Sequence, residues 1–312
     1  MKTVLLVLPL DWAEVWLVPF AETAPDLRIH VHERDAIAHH EIDYVFTFRP
    51  PHGLLKTFPN LKAVFSLGAG VDGVLSDPEY PRHVPLVRFV DETLSREMAQ
   101  YCVLHVLMHY RMQRTFDAAQ AAREWRQALL PKRPQETRIG ILGLGEIGTL
   151  TAEWLRDMDF AVAGWSRTRK HVRGVESFAG AGELPAFLHR SDILICLLPL
   201  TPDTRGILNA KLFAQLPQDA FVINVARGGH LVEADLIAAL DSGHLSGAAL
   251  DVFHTEPLPQ ASPLWSHPKI TVTPHIAAIS EPCAAARYVA ERIARFERGE
   301  KLDNVVDPAR GY

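Results

Sequence analysis

The sequence predicts an α/β protein of two domains, each built around a parallel sheet. Short apolar, β-branched runs recur along the chain with helix-like stretches between them. Strands that alternate with helices are joined by crossovers, and crossovers make sheets parallel. The length, 312 residues, sets the domain number at about two, because a domain takes roughly 150 residues. A chain of this size buries about three quarters of its unfolded surface, so its cores need neither disulfide nor metal.

Taken in order, the strands of a first, smaller domain are expected at residues 3–8, 27–32, 44–48, 63–67 and 86–90. Residues 91–134 lack strand character. Within them Met98, Ala99, Cys102, Val103, Val106, Leu107 and Tyr110 repeat at helical spacing, which predicts one long helix with an apolar stripe, joining the domains and able to serve as a dimer surface. Six further strands follow at 138–142, 162–166, 193–198, 221–226, 247–252 and 270–273, a number that suits a doubly wound dinucleotide-binding domain. A last helix at 284–298, with Tyr288, Val289 and Ile293 on one face, is positioned in sequence to return to the first domain.

Bulk properties narrow the class. Apolar residues make up 48 % and charged residues 22 %, as in an ordinary globular enzyme. The net charge of -5 with no basic run gives nucleic acid or an anionic membrane nothing to hold. Cys102, Cys196 and Cys283 are scattered in apolar stretches without C-x-x-C spacing, so buried free thiols in a reducing compartment are expected. The apolar run after Met1 stops at Pro9 and Asp11 and has no small-residue cleavage site; it reads as a strand, not a signal peptide. No segment reaches the ~20 apolar residues of a membrane span, and a cytoplasmic location is expected.

The pattern G-x-G-x-x-G occurs twice, at Gly68, Gly70 and Gly73 and at Gly143, Gly145 and Gly148. Such a pattern holds a pyrophosphate only where a strand feeds it and a helix leaves it. The second copy meets both conditions, following strand 138–142 and opening an amphipathic run at 149–158. Gly143, Leu144, Gly145, Glu146, Ile147 and Gly148 are therefore assigned to a dinucleotide, with phosphate at the helix N-terminus. The first copy runs into Ser76-Asp77-Pro78 without a helix signal. The exposed N–H groups of its loop 67–72 could instead hold a substrate carboxylate, a plain Gly-rich turn being the alternative.

Cofactor choice turns on the end of the second strand of this domain. An acidic residue there would bond the ribose 2′-OH of NAD, but the chain reads Trp165-Ser166-Arg167-Thr168-Arg169-Lys170. Ser166, Arg167 and Thr168 suit a 2′-phosphate, and NADP(H) is expected ahead of NAD(H). Three strand ends then carry unusual residues: Asn224-Val225-Ala226-Arg227, the run from Asp251 to Glu256, and Thr273-Pro274-His275-Ile276-Ala277. Open α/β sheets bind ligands beyond the carboxyl ends of their strands. Arg227, Glu256 and His275 should thus meet in one crevice beside the cofactor, and a structural ion pair with a packed histidine is the plain alternative.

The motifs GLGEIG, LLPLTPDTRG, NVARGG, ALDVFHTEPLP and TPHIAA, in that order from Gly68 to Ala278 with LGAGVDG before them, resemble those of the D-isomer-specific 2-hydroxyacid dehydrogenases. Within that family the short chain, the LGAGVDG loop and the WSRTRK turn are similar to the NADPH-dependent glyoxylate/hydroxypyruvate reductases. The resemblance implies a Rossmann-type domain (92–278, with the linking helix) inserted into a smaller flavodoxin-like substrate domain (1–91 with 279–312). It implies reduction of small 2-oxo acids, with Arg227 gripping the substrate carboxylate, His275 donating the proton and Glu256 bonding its other nitrogen. A planar guanidinium fits a carboxylate bidentately, and a histidine, with an ordinary pKa of about 6.5, suits proton donation. The substrate would lie in an interdomain cleft against Phe48, Ala69 and Gly70, while Leu198, Pro199, Thr204, Val225, Ala226, Asp251 and Ala277 would line the cofactor. Phe48 departs from the tryptophan of similar sequences, which puts substrate size in question, and Arg49 beside it is either a tail reader or a solvated loop residue.

His105 and His109 have metal-ligand spacing, but without the glutamate of H-E-x-x-H they read as packed or interface residues; no metal is expected. Rival functions on the same fold are an NAD-linked dehydrogenase acting on lactate or 3-phosphoglycerate, and a nucleotide-sensing regulator without turnover. A homodimer is expected from the linking helix.

Overall fold

A computed structural model describes residues 1–128, 130 and 132–307; Leu129 and Pro131 of the linking segment and the last five residues of the expected first domain lie outside them. The chain divides into two compact units, Met1–Leu94 with the chain from Ser280 onward, and Ser95–Ile279.

In the first unit, β1 (Lys2–Val7), α1 (Leu10–Thr23), β2 (Leu27–Val31), β3 (Tyr44–Thr47), β4 (Ala63–Ser66), α2 (Asp72–Leu75) and β5 (Leu86–Val87) follow one another. The sheet has the order β2-β1-β3-β4-β5 with every pairing parallel, which is the flavodoxin-like order. All five anticipated strands are present. Every residue of β3 and β4 is buried, as expected of central strands covered on both faces. One expectation fails: the first glycine pattern does enter a helix, the four-residue α2, though this single turn is too short to show periodicity in the sequence.

In the second unit, α3 (Glu92–Tyr110) and α4 (Gln113–Ala122) replace the single helix expected, because Met112 takes a left-handed conformation (φ 59°) between them. Then come β6 (Arg138–Leu142), α5 (Glu146–Asp157), β7 (Ala161–Ser166), β8 (Glu176–Ala179), α6 (Gly180–His189), β9 (Ile193–Cys196), α7 (Ala210–Phe213), β10 (Ala220–Asn224), α8 (Glu233–Asp241), β11 (Leu245–Leu250) and β12 (Ile270–Val272). The parallel sheet runs β12-β11-β10-β9-β6-β7-β8. Numbered within the unit this is 3-2-1-4-5-6 with one strand added, the Rossmann order. The seventh strand, β8, was not anticipated: it is a half-exposed edge strand, ESFA, with no apolar run to announce it. The predicted stripe on α3 is real, for Ala99, Cys102 and Val106 are fully buried and Cys102 and Val106 pack with β6 and β9.

The last helix among the described residues, α9 (Pro282–Glu297), belongs to the first unit and packs there with α1. The Glu281 carboxylate accepts from the Cys283 and Ala284 amides at its start, and Tyr288, Val289 and Ile293 form its buried face as expected. Cys102 and Cys196 are buried thiols, but Cys283 is half-exposed on the first turn of α9, so the expectation of burial fails there. No helix among the described residues is long and apolar enough to cross a membrane.

Candidate active site

All strands of the second unit point the same way, so their carboxyl ends share one edge, and the candidate residues lie along it. Beyond β6 the three glycines do three different jobs. Gly143 has φ 103°, and a Cβ there would stand 2.8 Å from the Leu197 carbonyl oxygen. Gly145 caps α5 in open space with no capping side chain, which leaves the first-turn N–H groups to an anion. A Cβ on Gly148 would collide with the Gly143 carbonyl, so this glycine brings helix and strand together. Leu144 is buried against Gly164 of β7, Glu146 accepts a bond from Ser95, and Ile147 is half-buried in the first turn.

At the end of β7 the Ser166 hydroxyl donates to the Thr168 carbonyl (2.7 Å) and closes the turn. Arg169 is held by Glu183 and the Ser177 carbonyl, while Arg167, Thr168 and Lys170 are exposed. A groove of about 440 Å³ lies between this turn and the glycine loop, lined by Leu144, Gly145, Glu146, Thr149, Lys170 and His171. No acidic side chain follows β7 to repel a 2′-phosphate. The residues present fit a phosphorylated dinucleotide: an uncapped helix start for the pyrophosphate and exposed cations beside the ribose position.

Arg227, Glu256 and His275 follow β10, β11 and β12, which are neighbours in the sheet. Glu256 Oε2 lies 2.9 Å from His275 Nδ1, and its Oε1 accepts from the Phe253 amide at 3.0 Å. The carboxylate is therefore fixed from both sides, and the imidazole is held by Nδ1. His275 itself has φ 56°, an uncommon conformation for a side-chain-bearing residue. Arg227 is half-buried, its guanidinium donating to the Ala226 carbonyl (2.7 Å), and its amide donates to Nδ1 of the fully buried His230 (3.2 Å). Gly228 lies so close to the Phe253 backbone that no Cβ fits, which ties the β10 end to the β11 end.

Asp251 holds the neighbouring loop, the structural role the sequence also allowed it. It is 1 % exposed, and its carboxylate accepts from the Thr273 hydroxyl (2.6 Å) and from the Ile276 and Ala277 amides (2.9 Å each). Its carbonyl accepts from the His275 amide (2.8 Å), and Tyr101 on α3 reaches Thr273 at 2.5 Å. The loop carrying His275 is thus clamped in its left-handed turn. Ala277, Leu198, Val225 and Ala226 are buried. Thr204 closes the loop after β9, donating to the exposed Pro199's carbonyl at 2.6 Å. In the first unit, Ala69 and Gly70 are half-buried in the loop after β4, and Phe48 is half-buried after β3.

A model of the D-isomer specific 2-hydroxyacid dehydrogenase NAD-binding domain matches residues 103–277, more than half of the chain. The chain belongs to this family. The dehydrogenase is 44 % identical over 304 residues to glyoxylate/hydroxypyruvate reductase A of Klebsiella pneumoniae subsp. pneumoniae, covering 96 % of each. Among solved structures it resembles a D-isomer specific 2-hydroxyacid dehydrogenase of Xanthobacter autotrophicus Py2 in complex with NADPH and MES (42 % identity, TM-score 0.94, 100 % of this chain and 99 % of that one). It also resembles an NADPH-dependent glyoxylate/hydroxypyruvate reductase of Sinorhizobium meliloti in complex with NADP and sulfate (42 % identity, TM-score 0.93, 100 % of each chain). The dehydrogenase is an NAD(P)-dependent oxidoreductase.

Two supports of this site escaped the sequence. His230 braces Arg227 and left a trace in the i,i+3 spacing of ARGGH; Tyr101 meets Thr273 across 172 residues of chain, a distance no local pattern spans.

Proposed function

We propose that the dehydrogenase reduces glyoxylate and hydroxypyruvate with NADPH, giving glycolate and D-glycerate. The observation that carries this is the Glu256–His275 pair at 2.9 Å, standing at the same carboxyl edge of the sheet as the glycine loop. Gly143–Gly148 and the Ser166–Thr168 turn would hold NADPH, whose nicotinamide would supply the hydride that the substrate's carbonyl carbon takes. Arg227 grips the substrate carboxylate and polarises the 2-oxo group. As the carbonyl carbon gains the hydride, its oxygen takes the π electrons and the proton that His275 releases. Glu256 on Nδ1 keeps the ring turned so that Nε2 is the donating atom. Phe48, Ala69 and Gly70 complete substrate binding, with Leu198, Pro199, Thr204, Val225, Ala226 and Ala277 around the cofactor and Asp251 acting through the loop it clamps.

The enzyme is read as cytoplasmic and homodimeric. Leu104 on α3 (52 % exposed) and Trp125 after α4 (93 %) are apolar side chains of the kind a second copy would cover, and sedimentation at micromolar concentration distinguishes dimer from monomer. The test of function is oxidation of NADPH and of NADH, followed separately with glyoxylate, hydroxypyruvate and pyruvate. Faster oxidation of NADPH with the first two is expected. No turnover with any of them, alongside tight NADPH binding, would replace the enzyme with a sensor.

A further inference from the structure

The first unit has a ligand position of its own. In a 2-1-3-4-5 sheet the chain moves outward in opposite directions from β1 and β3, and the crevice beyond their carboxyl ends is where such sheets bind ligands. Here those ends are level. Val7 of β1 is in register with Thr47 of β3, and Thr47 with Ser66 of β4. The Thr47 hydroxyl donates to the Val7 carbonyl and the Leu67 amide to the Thr47 carbonyl, both at 2.8 Å. What rises beyond the edge is therefore set by the next residues of each strand: the first turn of α1, Phe48-Arg49, and the loop 67–71.

Trp12 sits in that first turn, 49 % exposed, although Trp16 one turn on is 5 % exposed and packs on Phe46. The indole faces Phe48, with ring centroids 6.3 Å apart and planes 39° from each other. The Arg49 guanidinium carbon stands 5.1 Å from the Phe48 centroid. The turn of α2 that follows the loop after β4 leans on the same residues, for a Cβ on Gly73 would come within 2.7 Å of the Phe48 carbonyl oxygen and 2.6 Å of Arg49 Cγ. Two tilted rings and a flat guanidinium thus stand next to the loop that carries Ala69 and Gly70.

We propose that Trp12 is a specificity-determining residue: with Phe48 it forms an aromatic subsite that takes the side chain of aryl-substituted 2-oxo acids. This rests on the reading that Ala69 and Gly70 hold the substrate carboxylate. A planar aryl group matches tilted ring faces and stacks on a guanidinium edge, whereas glyoxylate carries no side chain to reach them. A partly exposed tryptophan beside a half-buried phenylalanine leaves apolar surface that an aryl tail would cover.

The test is steady-state reduction of phenylpyruvate, 2-oxoglutarate and glyoxylate by the wild type, Trp12→Ala and Trp12→Phe, with circular dichroism to check the fold. The wild type should reduce phenylpyruvate. In Trp12→Ala the phenylpyruvate-to-glyoxylate ratio of kcat/KM should fall about tenfold, mostly through KM, as the loss of an apolar contact predicts; Trp12→Phe should restore most of it. Equal losses on both substrates would make Trp12 merely structural, and an unchanged ratio or an inert phenylpyruvate would end the proposal. So would a preference for 2-oxoglutarate over phenylpyruvate, since a charged tail would then be read instead. Reduction of phenylpyruvate without glyoxylate would leave the aromatic subsite standing and overturn the function proposed above.

Discussion

His275 combines a left-handed backbone with a side chain fixed by Glu256, and each half of that arrangement has a separate support. The backbone is clamped by Asp251, buried and accepting three hydrogen bonds from the loop. Replacing Asp251 by alanine leaves those donors without a charged acceptor. It should lower unfolding free energy by about 3 kcal/mol and cut kcat together with it, as urea titration and initial rates would show. Tyr101→Phe removes a single bond at the rim of the same network and should cost only about 1 kcal/mol. In the proposed mechanism the side chain is the proton source, so His275→Ala should lower kcat by ~10²–10⁴-fold while NADPH still binds, measured by fluorescence titration. Wild-type rates in that variant would remove the proton-donor role. These residue identities could be read in the sequence because Arg, Glu and His stand at strand ends, where a solvated loop has no need of all three. For Asp251 the sequence left a cofactor role and a structural one equally open, since a carboxylate at a strand end looks the same whether it faces a cofactor or its own neighbouring loop.

Among the elements, α3 and the β6–α5 junction carry the clearest consequences. On α3, His105 lies 4.3 Å from the Tyr101 ring and His109 stacks on Phe221 at 4.2 Å and 17°, so the metal-like spacing is used for packing. Burial pushes His109 down to about 4 and His105 also downward. A histidine held neutral in the fold costs stability once the unfolded chain can take up its proton. Stability should therefore be level above about pH 6.5 and fall as the pH drops toward 4, His109 accounting for about 3 kcal/mol of the loss. His109→Phe, which keeps the ring stack, should flatten that decline in urea titrations run at several pH values; an unaltered slope would show that the histidine is not its source. At the junction, Gly148→Ala drives a Cβ into the Gly143 carbonyl and should abolish dinucleotide binding. Strands and long helices were legible because burial imposes a period on them. The break at Met112, the edge strand β8 and the single turn α2 were not, because each is decided by a few dihedrals or by one neighbouring strand and leaves no period behind.

For the molecule as a whole, cofactor binding couples to stability. A ligand held only by the folded state at about a hundred times its Kd adds roughly 2.7 kcal/mol, which is several degrees of Tm. NADPH should raise Tm more than the same concentration of NADH, because a 2′-phosphate gains the exposed Arg167 and Lys170 after β7, in a turn whose residues 167–170 include no carboxylate; the reverse order in differential scanning fluorimetry would overturn the reading of that turn. The class of both sheets, the strand and helix that flank the second glycine pattern, and the placing of Arg227, Glu256 and His275 at strand ends follow from local sequence, since each depends on residue type and spacing around a single strand end. Strand order, the tightness of Gly143 and Gly228 against other backbones, the clamp of Asp251 with Tyr101, and the meeting of Trp12 with Phe48 do not. They join residues tens to hundreds of positions apart, and only packing in three dimensions brings such residues within contact distance.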